Sequence, residues 1–168
     1  MGRVILHPSS FILIAATLLV AACGFQLRGV ATLPFESIYV QAAPKSLLAQ
    51  QIKRAVRTGS STRVSERQDD AEVTLQIVNE AQERRILSLT GGGRVAEYEL
   101  SYRVMFRLTD AQKREHIPAS EILLRRDYSY RDDAALSKEA EEALLYRNMR
   151  DDAVQQLVRR LQGAKLKS

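Results

Sequence analysis

The sequence predicts an α+β fold in the order β-α-β-β-β-α: a four-stranded, mostly antiparallel sheet with two helices packed on one face. Three observations carry this. From Ala96 to Leu108 every second residue is apolar and, Met105 apart, the residues between them are polar, the period of a strand with one buried and one wet face. Apolar residues recur every three or four positions near each end of the mature chain, as in amphipathic helices. Glycine-rich or polar turns separate these segments.

The elements follow in order. Ser37-Ile-Tyr-Val-Gln41 reads as a short strand, broken by Ala42, Ala43 and Pro44. Ser46 is placed to cap a helix in which Leu48, Ile52, Ala55 and Val56 share a face, and Gly59 closes it. The chain is then expected to return to the sheet near Val64 or Val73. Ala71, Val73, Leu75 and Ile77 alternate with Glu72, Thr74, Gln76 and Val78 as a second strand. Polar residues from Asn79 to Arg85 interrupt it. Ile86, Leu87 and Leu89 resume before the turn Thr90-Gly91-Gly92-Gly93.

The long alternation is the third strand. Ala96, Tyr98, Leu100, Tyr102, Val104, Phe106 and Leu108 point one way; Glu97, Glu99, Ser101, Arg103, Met105 and Arg107 point the other. A polar turn from Thr109 to Glu115 leads to a fourth strand carrying Ile122, Leu124, Tyr128 and Tyr130, with Arg125 outside and Arg126 in the Ile122 series. The final helix shows a stripe of Ala140, Ala143, Leu144, Met149, Ala153, Val154, Leu157, Val158 and Leu161, with Ser137 as its cap. Glu139, Glu141 and Glu142 near its start and Arg159, Arg160, Lys165 and Lys167 near its end suit the helix dipole.

Ahead of this domain, Arg3 precedes a charge-free run from Phe11 to Ala22. That run is short of the roughly 20 apolar residues a membrane span needs, but it has the length of a signal-peptide core. Val20, Ala21 and Ala22 then lead to the sole cysteine, Cys23. Small residues before a cysteine resemble the bacterial lipobox. By that resemblance Cys23 becomes the first mature residue, acylated on its sulfur and its amino group. More than one chain is needed for firm anchoring. Gly24, where an aspartate commonly retains such proteins at the inner membrane, favours the outer membrane. The alternative is an ordinary secretory signal followed by a free cysteine. The expected organisation is residues 1–22 signal peptide, 23–34 lipidated tether, 35–163 one α+β domain and 164–168 a short basic tail.

The whole chain carries 25 Lys and Arg against 20 Asp and Glu, a net charge of +5, with the two signs interspersed. In the periplasm such a surface has no nucleic acid to meet; anionic lipid head groups and phosphorylated sugars are the available partners. One cysteine excludes an internal disulfide, so burial must supply the stability.

The residues offer little for catalysis. His7 falls in the signal, and His116 stands alone in a polar turn, where it is expected to be solvated. No zinc set or serine triad can be assembled around it. The three glycines are not followed by Gly-Lys-Ser/Thr, so they make no phosphate loop. The pairs Asp69-Asp70, Asp132-Asp133, Glu141-Glu142 and Asp151-Asp152 are adjacent in sequence, and adjacent helical carboxylates diverge. No enzyme activity, metal or cofactor is expected; a hydrolase built on His116 is the rival reading.

Binding is better supported. Arg84, Arg85 and Arg94 surround the glycine turn, Arg103, Arg107 and Arg125 share the outer sheet face, and Lys138 begins the last helix. Tyr98, Tyr102, Tyr128 and Tyr130 lie near. Each alone reads as a solvated charge or a core ring. As a set they suit an anionic glycolipid or an acidic protein surface.

These segments also carry a family resemblance. Cys23-Gly-Phe-Gln-Leu-Arg-Gly29 resembles the mature start of the LptE family of lipopolysaccharide-assembly lipoproteins. Arg94-Val-Ala-Glu-Tyr-Glu-Leu100 resembles its third strand. Ala135-Leu-Ser-Lys138, followed by Arg150 to Leu161, resembles its final helix. The resemblance implies an outer-membrane lipoprotein that sits inside the LptD β-barrel, assists its assembly and binds lipopolysaccharide for delivery to the outer leaflet. It also implies that basic residues near the second hairpin turn and at the start of the last helix make that contact. Lys138 matches the helix position. At the turn the family's basic residue falls on Gly91, and Arg94 is the nearest arginine; Arg85 and Arg103 complete the candidates. The rival is a periplasm-facing lipoprotein that binds anionic lipid or an acidic partner without a barrel.

Overall fold

The structure, a computed structural model, describes residues 32–131 and 134–166. The signal, Cys23 and the pair Asp132-Asp133 lie outside the described residues. The elements are β1 (Ser37–Gln41), α1 (Leu47–Gly59), β2 (Arg63–Ser65), a 3-10 turn (Gln68–Asp70), β3 (Val73–Leu89), β4 (Val95–Asp110), β5 (Glu115–Ser129) and α2 (Ala135–Gln162). They form a five-stranded sheet in the order β2-β1-β3-β4-β5. β1 runs parallel to both β2 and β3, and β3, β4 and β5 form an antiparallel meander.

The α+β class therefore holds, with one strand more than the sequence predicts. The added strand is β2. Its three residues are too few to display an alternation, and only Ser65 is buried. Both expected return points are used: Val64 pairs on one side of β1 and Val73 on the other.

Both helices contribute to one core. Leu48, Ile52 and Val56 of α1 and Met149, Ala153, Leu157 and Leu161 of α2 join Ile38, Leu75, Leu100, Tyr102, Val104, Phe106 and Ile122 of the sheet. Burying each of the larger aliphatic side chains contributes about 1.5–3 kcal/mol. Ser46 caps α1 as expected: its Oγ accepts from the Ala49 N–H at 3.1 Å.

The polar stretch from Asn79 to Arg85 does not interrupt β3. The strand continues through it, with a bulge. Ile77 pairs with Phe106 and Asn79 with Met105, so Val78 is an extra residue. One inserted residue reverses the parity of everything beyond it. Val73, Leu75 and Ile77 face the helices before the bulge; Glu80, Gln82, Arg84 and Ile86 share that face after it, opposite Val104, Tyr102, Leu100 and Tyr98. Beyond β3 the chain turns through Thr90 to Arg94, and Gly93 takes φ +78° there, a conformation that favours glycine.

Helix α2 departs from its predicted stripe. Ala134, not Ser137, is the N-cap; the Ser137 hydroxyl lies in the first turn and donates to the Ala134 carbonyl at 2.8 Å. Ala140, Ala143 and Leu144 are exposed. Over this first half the less exposed positions are Lys138, Glu142, Leu145 and Tyr146. The apolar stripe takes over only from Met149, because the sheet surface under the first half is itself polar.

The polar turn after β4 is shorter than expected. His116 lies within β5 with its side chain 2 % exposed, its Nε2 3.1 Å from Asp110 Oδ2. It is a buried, paired histidine rather than a solvated one.

Candidate functional site

The polar inner face created by the bulge meets the polar half of α2. Arg84 Nη1 donates to Glu142 Oε2 at 2.9 Å, and the Tyr128 hydroxyl donates to the same oxygen at 2.7 Å. Arg84 also stands 4.7 Å from the centre of the Tyr98 ring. Tyr98 stacks on Tyr128 at 5.8 Å and meets Tyr130 edge-on at 5.1 Å. The Tyr146 hydroxyl donates to the Glu83 carbonyl at 2.8 Å. Nearer the bulge, Glu80 accepts from the Tyr102 hydroxyl at 2.6 Å and from Ser46 Oγ at 3.0 Å. The cap of α1 is thereby tied to β3 and β4.

These contacts shift proton affinities. Burial, reinforced by the Glu142 carboxylate, pushes the Tyr128 phenol up to about 12. Burial and then Glu80 hold the Tyr102 phenol well above the usual range. The hydrogen bond to Glu142 strengthens the charged form of Arg84. All three arrangements are ion-paired or hydrogen-bonded structure, with no nucleophile beside a base. Among the described residues no group of acidic, His or Cys side chains could hold a metal ion.

The structure separates the four basic candidates into three places. Arg85 and Arg103 share the outer sheet face, where a shallow cleft of about 220 Å³ lies among Arg85, Glu99, Arg103 and Arg125. Both are engaged: Arg85 Nε is 2.7 Å from Glu99 Oε1, and Arg103 Nη1 is 3.7 Å from Glu121 Oε2. Arg125 Nε approaches the same Glu99 oxygen at 3.7 Å. Lys138 lies on α2 across the sheet, its Nζ 2.7 Å from Glu141 Oε2 and 6.0 Å from the Tyr128 ring. Arg94 sits at the hairpin tip. Its backbone N–H donates to Thr90 Oγ1 at 3.2 Å, and its guanidinium makes no ion pair among the described residues.

The end of β3 leading into this turn exposes Ile86, Leu87 and Leu89, each 44–57 % accessible, and Leu89 pairs with Val95, the neighbour of Arg94. An unpaired cation next to exposed aliphatic side chains forms an amphiphilic tip. Glu99 and Glu142, which neutralise the arginines on the two faces, were absent from the candidates. Glu142 carries a readable signal, four residues after Lys138 on one helix face; Glu99 shows only as one of the wet residues of β4.

The described fold has clear relatives. The LptE family model, whose description is lipopolysaccharide-assembly, matches residues 35–161. The chain is 32% identical over 154 residues to the LPS-assembly lipoprotein LptE of Yersinia enterocolitica, covering 87% of this chain and 71% of that one. The solution structure of lipoprotein B from Nitrosomonas europaea superposes with a TM-score of 0.73 at 41% identity, over 83% of this chain and 90% of that one. The crystal structure of rare lipoprotein B from Shewanella oneidensis gives a TM-score of 0.66 at 26% identity, over 76% and 94%. With its whole sheet and both helices, save the last residue of α2, inside the matched span, this chain belongs to the LptE family of lipopolysaccharide-assembly lipoproteins, which is not an enzyme family.

Proposed function

We propose that the chain is an outer-membrane lipoprotein, acylated at Cys23, that plugs and assists assembly of the LptD β-barrel and binds lipopolysaccharide on its way to the outer leaflet. The hairpin tip is the observation that carries the glycolipid part. Lipopolysaccharide presents phosphates beside acyl chains, and a hairpin that carries Arg94 at its tip and exposed Ile86, Leu87 and Leu89 on the strand leading to it offers the complement to both. Arg94 leads because no carboxylate has to be displaced from it. Lys138 must leave Glu141, and Arg85 and Arg103 must leave Glu99 and Glu121.

Family membership supports the barrel part, together with a surface dressed in paired charges, which suits a polar barrel lumen. Among the described residues no helix is long and apolar enough to cross a membrane. Attachment through Cys23 fits that. The test is binding of the acylated chain, in detergent, to immobilised lipopolysaccharide. Arg94→Glu is expected to weaken binding about threefold to tenfold, as the loss of one charge-assisted contact does. Arg94→Glu with Lys138→Glu weakens it further. Unchanged binding by the double variant would remove lipopolysaccharide contact at these two residues from the account.

A further inference from the structure

β5 is an edge of the sheet along its whole length; on the other side β2 is only three residues, and β1 covers β3 only as far as Gln76. An unpaired edge offers outward N–H and C=O groups to any strand that fits. Which residues of β5 do so follows from its pairing. The Tyr130 N–H donates to the Ala96 carbonyl at 2.8 Å, and the register from Glu97↔Ser129 to Phe106↔Ser120 is unbroken. Even-numbered residues of this stretch therefore bond to β4. Glu121, Leu123, Arg125 and Asp127 turn their backbone groups outward.

Two of those outward carbonyls are already occupied by guanidinium groups. Arg160 Nη1 donates to the Glu121 carbonyl and Arg126 Nη1 to the Arg125 carbonyl, both at 2.9 Å. Helix α2 holds both. Arg160 belongs to it and stands 5.6 Å from the centre of the Phe106 ring. The other nitrogen of Arg126 donates to Asp152 Oδ2 at 2.9 Å.

The edge beneath these caps is self-complementary. A second β5, antiparallel and centred on Leu123, would set Glu121 opposite Arg125 on the outer face, twice, and Ile122 opposite Leu124 on the inner face. Sliding it further toward the carboxyl end sets Glu121 against Asp127, or Arg125 against itself. In the matched register Glu121 with Arg125, twice, and Leu123 with its copy form hydrogen-bonded pairs, so two of the three carbonyls it needs on each strand are the two that are capped.

We infer that Arg126 and Arg160 are edge guards: they hold a self-pairing surface on β5 closed, and the occupant it takes once both are removed is a second copy of this chain. This inference is independent of lipopolysaccharide binding.

The test uses the acylated full chain in detergent, with Leu123→Cys as a reporter at the two-fold centre. The expected Cα separation there, about 5.5 Å, suits a disulfide. Under mild oxidation, Leu123→Cys with Arg126→Ala and Arg160→Ala is expected to form dimers in at least roughly tenfold greater yield than Leu123→Cys alone. Adding Glu121→Arg should abolish them. Equal yields with and without the guards, or dimers indifferent to Glu121→Arg, would overturn the inference. A measurement on the unmodified protein guards against misfolding of the variants. The Leu123 amide should exchange with solvent quickly and the Leu124 amide slowly; a protected Leu123 amide would mean the edge is already covered, which also overturns the inference.

Discussion

Asp110 shows most directly how single residues carry this fold. Burial works against its carboxylate, but the Arg114 backbone N–H at 2.9 Å, the Arg114 guanidinium at 2.7 Å and His116 at 3.1 Å outweigh it and hold the group down at about 2. A carboxylate depressed in the folded state stabilises above its ordinary value near 4 and loses that contribution as pH falls through about 2. Asp110→Asn is therefore expected to unfold at lower temperature than the parent at neutral pH. The difference should shrink between about pH 4 and pH 2, in thermal melts followed across that range. Tyr128 has the opposite sign. Its phenol is raised, so its contribution is complete below about pH 10 and is lost as pH rises through about 12. An ultraviolet titration should find it still protonated at pH 11 in the parent, and ionising at lower pH in Glu142→Gln. Neither arrangement was legible in the sequence. His116 reads as a lone polar-turn residue until the β4–β5 register folds it back onto Asp110, six positions earlier.

The elements were easier to read where packing and periodicity agree. β1 and α1 end where their breakers and caps place them, and β4 keeps its alternation over the whole expected stretch. Reading failed where polar residues take inward positions. In β3, the bulge at Val78 turns Glu80, Gln82 and Arg84 toward the helices, and a polar run that looks like a break is an unbroken strand. The same cause hid the first half of α2, whose sheet-side residues Lys138 and Glu142 answer that polar surface. Deleting Val78 should close the bulge and leave the ladder beyond it unchanged, because Asn79 already pairs with Met105 next to Ile77 with Phe106; Glu80, Gln82 and Arg84 stay inward. We expect amide exchange to show protection in the distal hairpin kept in the deletion variant; lost protection there, with β1 and the first part of β3 still protected, would contradict the bulge. Ser46→Ala should cost about 1–2 kcal/mol in denaturant unfolding, since the hydroxyl caps α1 and also satisfies Glu80.

At the scale of the molecule, two helices over one face of a mixed sheet bury the core and leave the other face, the hairpin tip and the start of α2 outside it. Ile52 of α1 is fully buried, and Ile52→Ala should cost about 2–5 kcal/mol, as cavity-forming truncations do. The fold class and the family were legible because alternation, helical stripes and the motifs around Cys23, Arg94 and Lys138 lie in the sequence itself. The arrangement of the basic candidates was not, since Arg85 and Arg103 are separated from Lys138 by the thickness of the sheet and only the fold shows which are neutralised. The proposed function places this body inside a barrel. Affinity purification of the tagged chain from solubilised outer membranes, with mass spectrometry of what accompanies it, tests that most directly. A large outer-membrane β-barrel in stoichiometric amount is the expected companion. Recovery of the chain acylated at Cys23 with no barrel would contradict it and leave a free lipoprotein that binds anionic lipid.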